Sequence, residues 1–376
     1  MSAAAVVFWV SIGLLVYTQV GYPLVLVAWA RLRRRRPAAP PLDGRPSVSL
    51  IVAAHDEEAV IGAKVANALG LEWPRSRLEI IVCCDGASDA TAARARAAGA
   101  DVVLELPRGG KVRAQDAGVA AARGELLAFS DANSSWEPEA LGRLCAAFAD
   151  GRVGYACGQV RFVRADGGDN QEGLYWRYEL AVRRLESELR SITAGNGAIY
   201  ATRRDSYLVV DPIMGHDLSF PFKMVKGGWR AVYVPEALAR EKMVPTIEGE
   251  FARKRRMMSH AWPIVLRGGM LSPRGYGAGY AVMILSHRIL RYASPGLHML
   301  ALVTNVLLLG RGSVYVALLA AQGGLLFAAA LAGVLPARPF LVARYYVLTT
   351  ASLALGLWDW LRHGTSAGWE AAEGTR

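Results

Sequence analysis

The stretch LLAFSDANSSWEPEAL, residues 126–141, passes from apolar to acidic to helix-forming within one short segment. Leu126 to Ser130 reads as a buried strand. It stops at Asp131-Ala132-Asn133, and Trp136-Glu137-Pro138 opens a helix at once. Asp131 and Asn133 alternate, which brings two side-chain oxygens near one point. A hard cation such as Mg2+ takes few protein oxygens and fills its shell from water and phosphate. The same letters also fit plain turn chemistry, an Asx turn with Pro138 near the start of the next helix. The surrounding sequence decides between them.

Apolar runs at 47–54, 78–84, 101–106 and 125–130 alternate with Ala-rich helical stretches at 57–69, 88–98 and 111–123. That alternation predicts parallel strands joined by right-handed crossovers, a doubly wound α/β sheet. Ligands of such sheets sit beyond the carboxyl ends of the strands. Every loop there is polar: His55-Asp56-Glu57-Glu58, then Asp85 to Asp89, then Arg108-Gly109-Gly110-Lys111, then Asp131-Ala132-Asn133. A carboxylate at a Gly-containing turn, as at Asp85-Gly86, can accept a base N–H or a ribose hydroxyl. Ser88 would equally serve as a helix N-cap. Four polar loops in register favour a ligand site over four separate caps. Residues 153–239 add shorter strands and a long polar helix at 171–190, so 47–245 is expected to form one domain.

The 376 residues are 53% hydrophobic, with a mean hydropathy of +0.23, which points to soluble and membrane parts in one chain. Residues 1–30 carry no charge, and about 20 apolar residues suffice to cross a bilayer as a helix. Arg31, Arg33, Arg34, Arg35 and Arg36 follow, a cytoplasmic signature that leaves the N-terminus outside. A cleaved signal at Ala28-Trp29-Ala30 fits less well, because its basic cluster would lie on the wrong side of an overlong core. The Pro-rich 31–46 segment reads as a linker, 246–291 as a basic, aromatic interfacial segment, and 292–362 as spans at 292–310, 312–336 and 339–361 before a tail at 363–376. One anchor and three later spans predict a cytoplasmic domain in an inner-membrane protein, with the C-terminus outside. Cys83, Cys84, Cys145 and Cys157 form no CxxC pair and suit reduced thiols. The net charge of +11 needs no nucleic acid, since much of it is membrane-proximal arginine and most substrate-side loops are acidic.

In these motifs the chain resembles the membrane-bound, processive-type branch of the family 2 glycosyltransferases, related to cellulose, hyaluronan and chitin-oligosaccharide synthases. SLIVAAHDEEAVI (49–61) is similar to the family's opening strand, with His55-Asp56 in place of Tyr-Asn. IIVCCDGASDAT (80–91) resembles the nucleotide-binding Asp-Gly-Ser-x-Asp. RGGKVRAQDAG (108–118) resembles Gly-Lys-x-x-Ala-Leu-Asn-x-Gly, with Asp116 where Asn is usual. FSDANSSWEPEAL (129–141) resembles the DxD region, TAGNGAIYATRR (193–204) the acceptor-side strand, and GHDLSFPFKMVKGGWRAVYVPEA (215–237) the segment with the catalytic carboxylate.

The resemblance implies a GT-A fold with a mostly parallel sheet and about four transmembrane helices. It implies Asp217 as catalytic base, and donor contacts at Ala54, Asp56, Glu57, Asp85, Lys111, Asp131, Arg253 and Arg256. Acceptor contacts fall on Gly195, Asn196, Gly197, His216 and Trp262, and Mg2+ or Mn2+ on Asp131 and Asn133. The family's Gln-x-x-Arg-Trp is absent: RKRRMM (253–258) offers Arg253, Arg256 and Met257, and Trp262 follows about one and a half turns later. Arg253, Lys254, Arg255 and Arg256 suit a donor diphosphate or anionic lipid alike, and Trp262 an acceptor sugar or a membrane interface. His287, Arg288 and Arg291 fit a functional path or snorkelling at a span end. The activity implied is inverting transfer from a nucleoside-diphosphate sugar, such as a UDP-sugar, to a glycan or lipid-linked hydroxyl, with membrane lipids as partners. The alternatives are a polyprenyl-phosphate sugar synthase and a non-catalytic, nucleotide-regulated membrane scaffold. No G-x-G-x-x-G follows the first strand, which disfavours a dinucleotide oxidoreductase.

Overall fold

The computed structural model describes residues 2–32, 44–163, 173–242 and 247–368. Most of the expected linker with Arg33 to Arg36, the first two residues of the 171–190 helix, the domain edge at 245 and the tail beyond 368 lie outside the described residues. The chain divides into two compact units. One comprises Met1–Ala28, Thr246–Trp262 and Val282–Gly364, and the other Trp29–Pro245, Pro263–Ala281 and Thr365–Arg376. At the N-terminus α1 (Ala3–Val16) and α2 (Tyr22–Leu32) join through a π turn at Tyr17–Gly21 into one helical run.

The larger unit is built on β1 (Val48–Ala54), β2 (Leu78–Asp85), β3 (Val102–Leu106) and β4 (Leu126–Asp131), with α3 (Ile61–Leu69), α4 (Thr91–Ala97) and α5 (Lys111–Ala121) between them. All seven residues of β1 are buried, so it reads as a continuous apolar run, as a strand covered on both faces must. It pairs in parallel with both β2 and β4, Val48 facing Leu78 on one side and Leu126 on the other. The later elements are β5 (Ser135–Trp136), α6 (Ala140–Ala146), β6 (Val153–Val163), α7 (Gly173–Leu189), β7 (Ile199–Arg203), α8 (His216–Lys226) and β8 (Arg230–Lys242). The full order is β3-β2-β1-β4-β7-β6-β8-β5.

The expected parallel arrangement holds from β3 to β4. Beyond it β7 enters antiparallel between β4 and β6, and β6 pairs in parallel with β8 through two register shifts. Successive strand residues feed opposite faces. Leu50, Val52, Ile80 and Val82 pack with Leu141 and Leu144 on one side. Ile51, Ile81 and Phe129 pack with Tyr155, Tyr200, Phe220 and Met224 on the other. The four cysteines are buried and unbridged, and burial pushes the Cys83 and Cys145 thiols up to about 12, which makes them inert.

The second unit is helical. It takes α9 (Ile247–Leu266) as far as Trp262 and resumes at Val282 near the end of α10 (Ala278–Met283), followed by a π turn at Ile284–Ile289, α11 (Leu290–Tyr292), α12 (Ser294–Leu307), α13 (Ser313–Leu331) and α14 (Arg338–His363). Among the described residues three helical runs are long and apolar enough to cross a membrane: Ala3–Leu32, Ser313–Leu331 and Arg338–His363. The span expected at 292–310 takes the form of α12, which has 14 residues and falls short of that length by itself. It packs against α1, with Ala5, Phe8, Ala301 and Leu308 buried together.

The layer of α5 over β1 and β2 depends on Gly118. A Cβ there would lie 2.6 Å from Ile51 Cγ2 and 2.8 Å from Cys83 Sγ, whereas Gly62 in α3 has open space around it. Gly118→Val is therefore expected to cost about 1–3 kcal/mol through overpacking. Gly62→Ala should gain up to about 1 kcal/mol from helix propensity. Thermal melting of the full chain in detergent checks both signs.

Candidate active site

The carboxyl end of β1 turns at Asp56, which alone among the described non-glycine residues has a positive φ, 50°. Its carboxylate accepts the Ser88 N–H at 2.8 Å. His55 Nδ1 lies 2.8 Å from the Asp85 carbonyl, and the buried Glu57 gives its N–H to Thr91 Oγ1 at 2.8 Å. Ala54 is buried as the last residue of β1. The first two strand-end loops are thus tied into one wall.

Asp85 closes β2 and its carboxylate is 1% exposed. It accepts the Gly109 N–H at 2.6 Å and the Gly110 N–H at 3.0 Å, and pairs with Arg108 at 3.1 Å. Gly86 makes the turn possible, since its φ is +59° and a Cβ would lie 2.9 Å from the Arg108 backbone. The sequence reading gives Asp85 to the nucleotide, whereas here its carboxylate organises the loop leading into α5.

That loop delivers Lys111, first residue of α5, to Asp131 at the end of β4, where the ammonium pairs with Oδ1. Burial opposes the lysine charge most strongly, but Asp131, Asp217 and Glu241 together outweigh it, and the net shift is upward. A Cβ on Gly197 would lie 3.3 Å from Lys111 Nζ, so this glycine leaves the space beside the ammonium open. Asp131 and Asn133 are both partly exposed. Among the described residues no three His, Cys, Asp or Glu side chains cluster as a metal site. An Asp-x-Asn pair that already attracts one cation fits a hard divalent ion completed by phosphate oxygens.

Opposite stands α8, whose N-cap is Gly215 and whose first turn holds Asp217, a position that favours a negative charge. The Asp217 carbonyl accepts the Gly195 N–H at 2.7 Å, which joins the acceptor-side segment to the helix start. Two expected acceptor contacts are turned elsewhere. Asn196 ties its own turn to β6, donating its amide N–H to Gly158 O at 2.5 Å and accepting from Ile199 N–H at 3.0 Å. His216 is 3% exposed, with Nδ1 2.7 Å from Tyr200 OH and its ring stacked on Phe220 at 4.0 Å between centroids. Both side chains brace the scaffold.

Arg253, Arg256 and Trp262 belong to the helical unit. There Arg253 forms a two-point pair with Glu250 at 2.8 Å, Arg256 is exposed, and Trp262 donates its indole N–H to Leu353 O at 2.9 Å. Asp116, where the resemblance expects Asn, accepts the Tyr207 hydroxyl at 2.6 Å. Lys64 and Asn67 of α3, which no motif in the sequence marks, are both bonded to the segment after Asn133. Their signal was a lysine and an asparagine three apart on an otherwise apolar helix.

Burial, reinforced by Lys111, lowers the His216 imidazole from 6.5 to about 3. The unfolded chain therefore binds the extra proton first as pH falls. The stability from the neutral ring is complete above about 6.5 and is lost below it at about 1.4 kcal/mol per pH unit. His216→Gln, which keeps a partner for Tyr200, is expected to lower the melting temperature less than the native chain does between pH 7 and pH 5. Equal drops would show that the ring does not titrate this way.

A curated relative, the probable glycosyltransferase YdaM of Bacillus subtilis (strain 168), is 30% identical over 137 residues, 32% of this chain. The match spans only 31% of that relative. The mannosyltransferase PcManGT from Pyrobaculum calidifontis, solved with GDP-Man and Mn2+, shares the fold with a TM-score of 0.73. The identity is 21%, over 95% of this chain and 97% of that one. Glucosyl-3-phosphoglycerate synthase from Mycobacterium tuberculosis aligns over 57% of the chain and 78% of its own, with 21% identity and a TM-score of 0.41. The profile described as "Glycosyltransferase like family 2" matches residues 46–259, more than half of the sequence and the whole of the cleft built by β1, β2, β4 and α8, so the chain belongs to that family.

Proposed function

We propose that the chain is an inverting glycosyltransferase that moves a sugar from a nucleoside-diphosphate sugar to a hydroxyl of a lipid-linked or growing polysaccharide acceptor, at the cytoplasmic face of a membrane. The observation that carries this reading is the meeting of Lys111 with Asp131, beside the backbone of Gly197 and within the field of Asp217. A cation, two carboxylates and an open backbone edge are what a departing diphosphate and an attacking hydroxyl require.

Asp217 takes the acceptor hydroxyl proton as that oxygen bonds to the anomeric carbon. The bond from that carbon to the diphosphate oxygen breaks, its electron pair leaves with the diphosphate, and attack from the opposite face inverts the centre. Lys111 moves its hydrogen bonds to the phosphate oxygens as their charge grows. Mg2+ or Mn2+, when bound at Asp131 and Asn133, supplies further neutralisation of the diphosphate. Asp56, Ser88 and Asp85 shape the wall for the nucleoside. The GDP-Man and Mn2+ carried by the structural relative support donor class and cation without naming the sugar for this chain.

The test is nucleoside diphosphate release by the purified full chain across UDP- and GDP-sugars, with Mg2+ or Mn2+ and with glycan, lipid-linked or polyprenyl-phosphate acceptors. Asp217→Asn is expected to lower kcat about 10²–10⁴-fold with an unchanged melting temperature. Lys111→Met should raise the donor KM about 10–100-fold, the worth of a hydrogen bond to a charged group. Turnover only with polyprenyl phosphate would move the acceptor to that class. Donor binding without turnover on any acceptor would make the domain a nucleotide-regulated scaffold.

A further inference from the structure

We propose that Lys64 and Asn67 are positioning residues that clamp the metal-binding turn from behind and so set its affinity for a cation–nucleotide complex. The inference rests on the transferase reading above. The turn itself is short: Ser134 N–H closes it onto the Asp131 carbonyl at 3.2 Å. Asp131 is fixed by β4, so the direction of Asn133 is set by whatever holds residues 134–136.

Ser135 and Trp136 pair with Arg240 and Ala239 of β8 along one edge, and three bonds from α3 hold the segment along the other. Lys64 Nζ donates to the Ser134 carbonyl at 2.8 Å. The Asn67 amide donates to Trp136 O at 2.8 Å and accepts Trp136 N–H at 2.9 Å, pairing both backbone groups as a neighbouring strand would. On the other side the Trp136 indole donates to Ala198 O at 3.0 Å, next to Gly197. Lys64 and Asn67 are three apart on one helix, hence on one face.

Fold stability alone does not account for the lysine. It is 3% exposed, and its ammonium lies 5.3 Å above the Trp136 ring. Burial pulls it down to about 7, against the opposing effect of Asp131 and Glu241. An apolar side chain of similar volume usually serves a core at least as well as a buried charge. What an apolar side chain lacks is a donor to fix the Ser134 carbonyl. Supporting bonds of this kind are commonly worth about 10–100-fold in metal affinity.

The experiment measures binding of GDP and of UDP to the full-length protein by titration calorimetry, with and without Mn2+, for the native chain and for Lys64→Met, Lys64→Arg and Asn67→Ala. Melting temperatures are recorded alongside. Lys64→Met and Asn67→Ala are expected to weaken Mn2+–nucleotide binding at least about tenfold and to leave metal-free nucleotide binding within about twofold, because the nucleoside wall is made by other loops. Lys64→Arg, which restores a donor, should recover most of the loss. Equal weakening with and without Mn2+, or a lowered melting temperature with unchanged Mn2+–nucleotide affinity, would assign the two residues to the fold and overturn the proposal. If Lys64→Met does not fold, Asn67→Ala decides alone. A native chain that binds neither nucleotide with Mn2+ overturns the transferase reading itself, a distinct outcome.

Discussion

The ammonium of Lys111 held against Asp131 is the interaction on which the cleft depends. Asp131 ends β4 and Asp217 begins α8, so two carboxylates are brought toward one space by elements from opposite halves of the sheet. Both carboxylates act on the Lys111 ammonium and favour its charge against burial. Lys111 is in place because α5 starts there. The helix starts there because Gly110, at a φ of +93°, turns the chain while its N–H binds Asp85. On the proposed function, nucleotide wall and reaction centre share one helix start.

Where backbone and burial decide, the sequence was readable. The strands β1, β2 and β4 are covered on both faces, so continuous apolar runs announced them, and the polar residues that ended those runs announced the loops. Which strand neighbours which was less readable. Periodicity reports the faces of a strand and is silent on its partners, so the antiparallel entry of β7 beside β4 could not be read from residues 199–203.

Side-chain direction set the second limit. His216 and Asp217 are adjacent in sequence and resemble one motif, yet neighbours on a helix point about 100° apart. If Asp217 faces the cleft, His216 must face the aromatic core of Tyr200, Phe129 and Phe220, where it is found. Asn196 reads as a polar contact, and its amide is taken up by Gly158 of β6 and by Ile199 of its own turn. Lys64 failed in the other direction, because nothing in IGAKVANAL tells that its ammonium meets a carbonyl seventy positions later. In the helical unit the same applies to Arg253 and Arg255, whose partners Glu250 and Asp359 turn a basic stretch into a set of ion pairs.

The buried imidazole also bears on the chemistry. A protonated His216 would be a second cation near Lys111, whose charge already disfavours it. Burial, with the ring between Tyr200 OH and Phe220, keeps the imidazole neutral across the physiological range. In the proposed reaction the pairing of Lys111 with Asp131 is exchanged for a divalent ion and a diphosphate, with the wall behind it left in place. Neutral aromatic packing on one side and a fixed turn on the other confine that exchange of charge to the space between Asp131, Gly197 and Asp217.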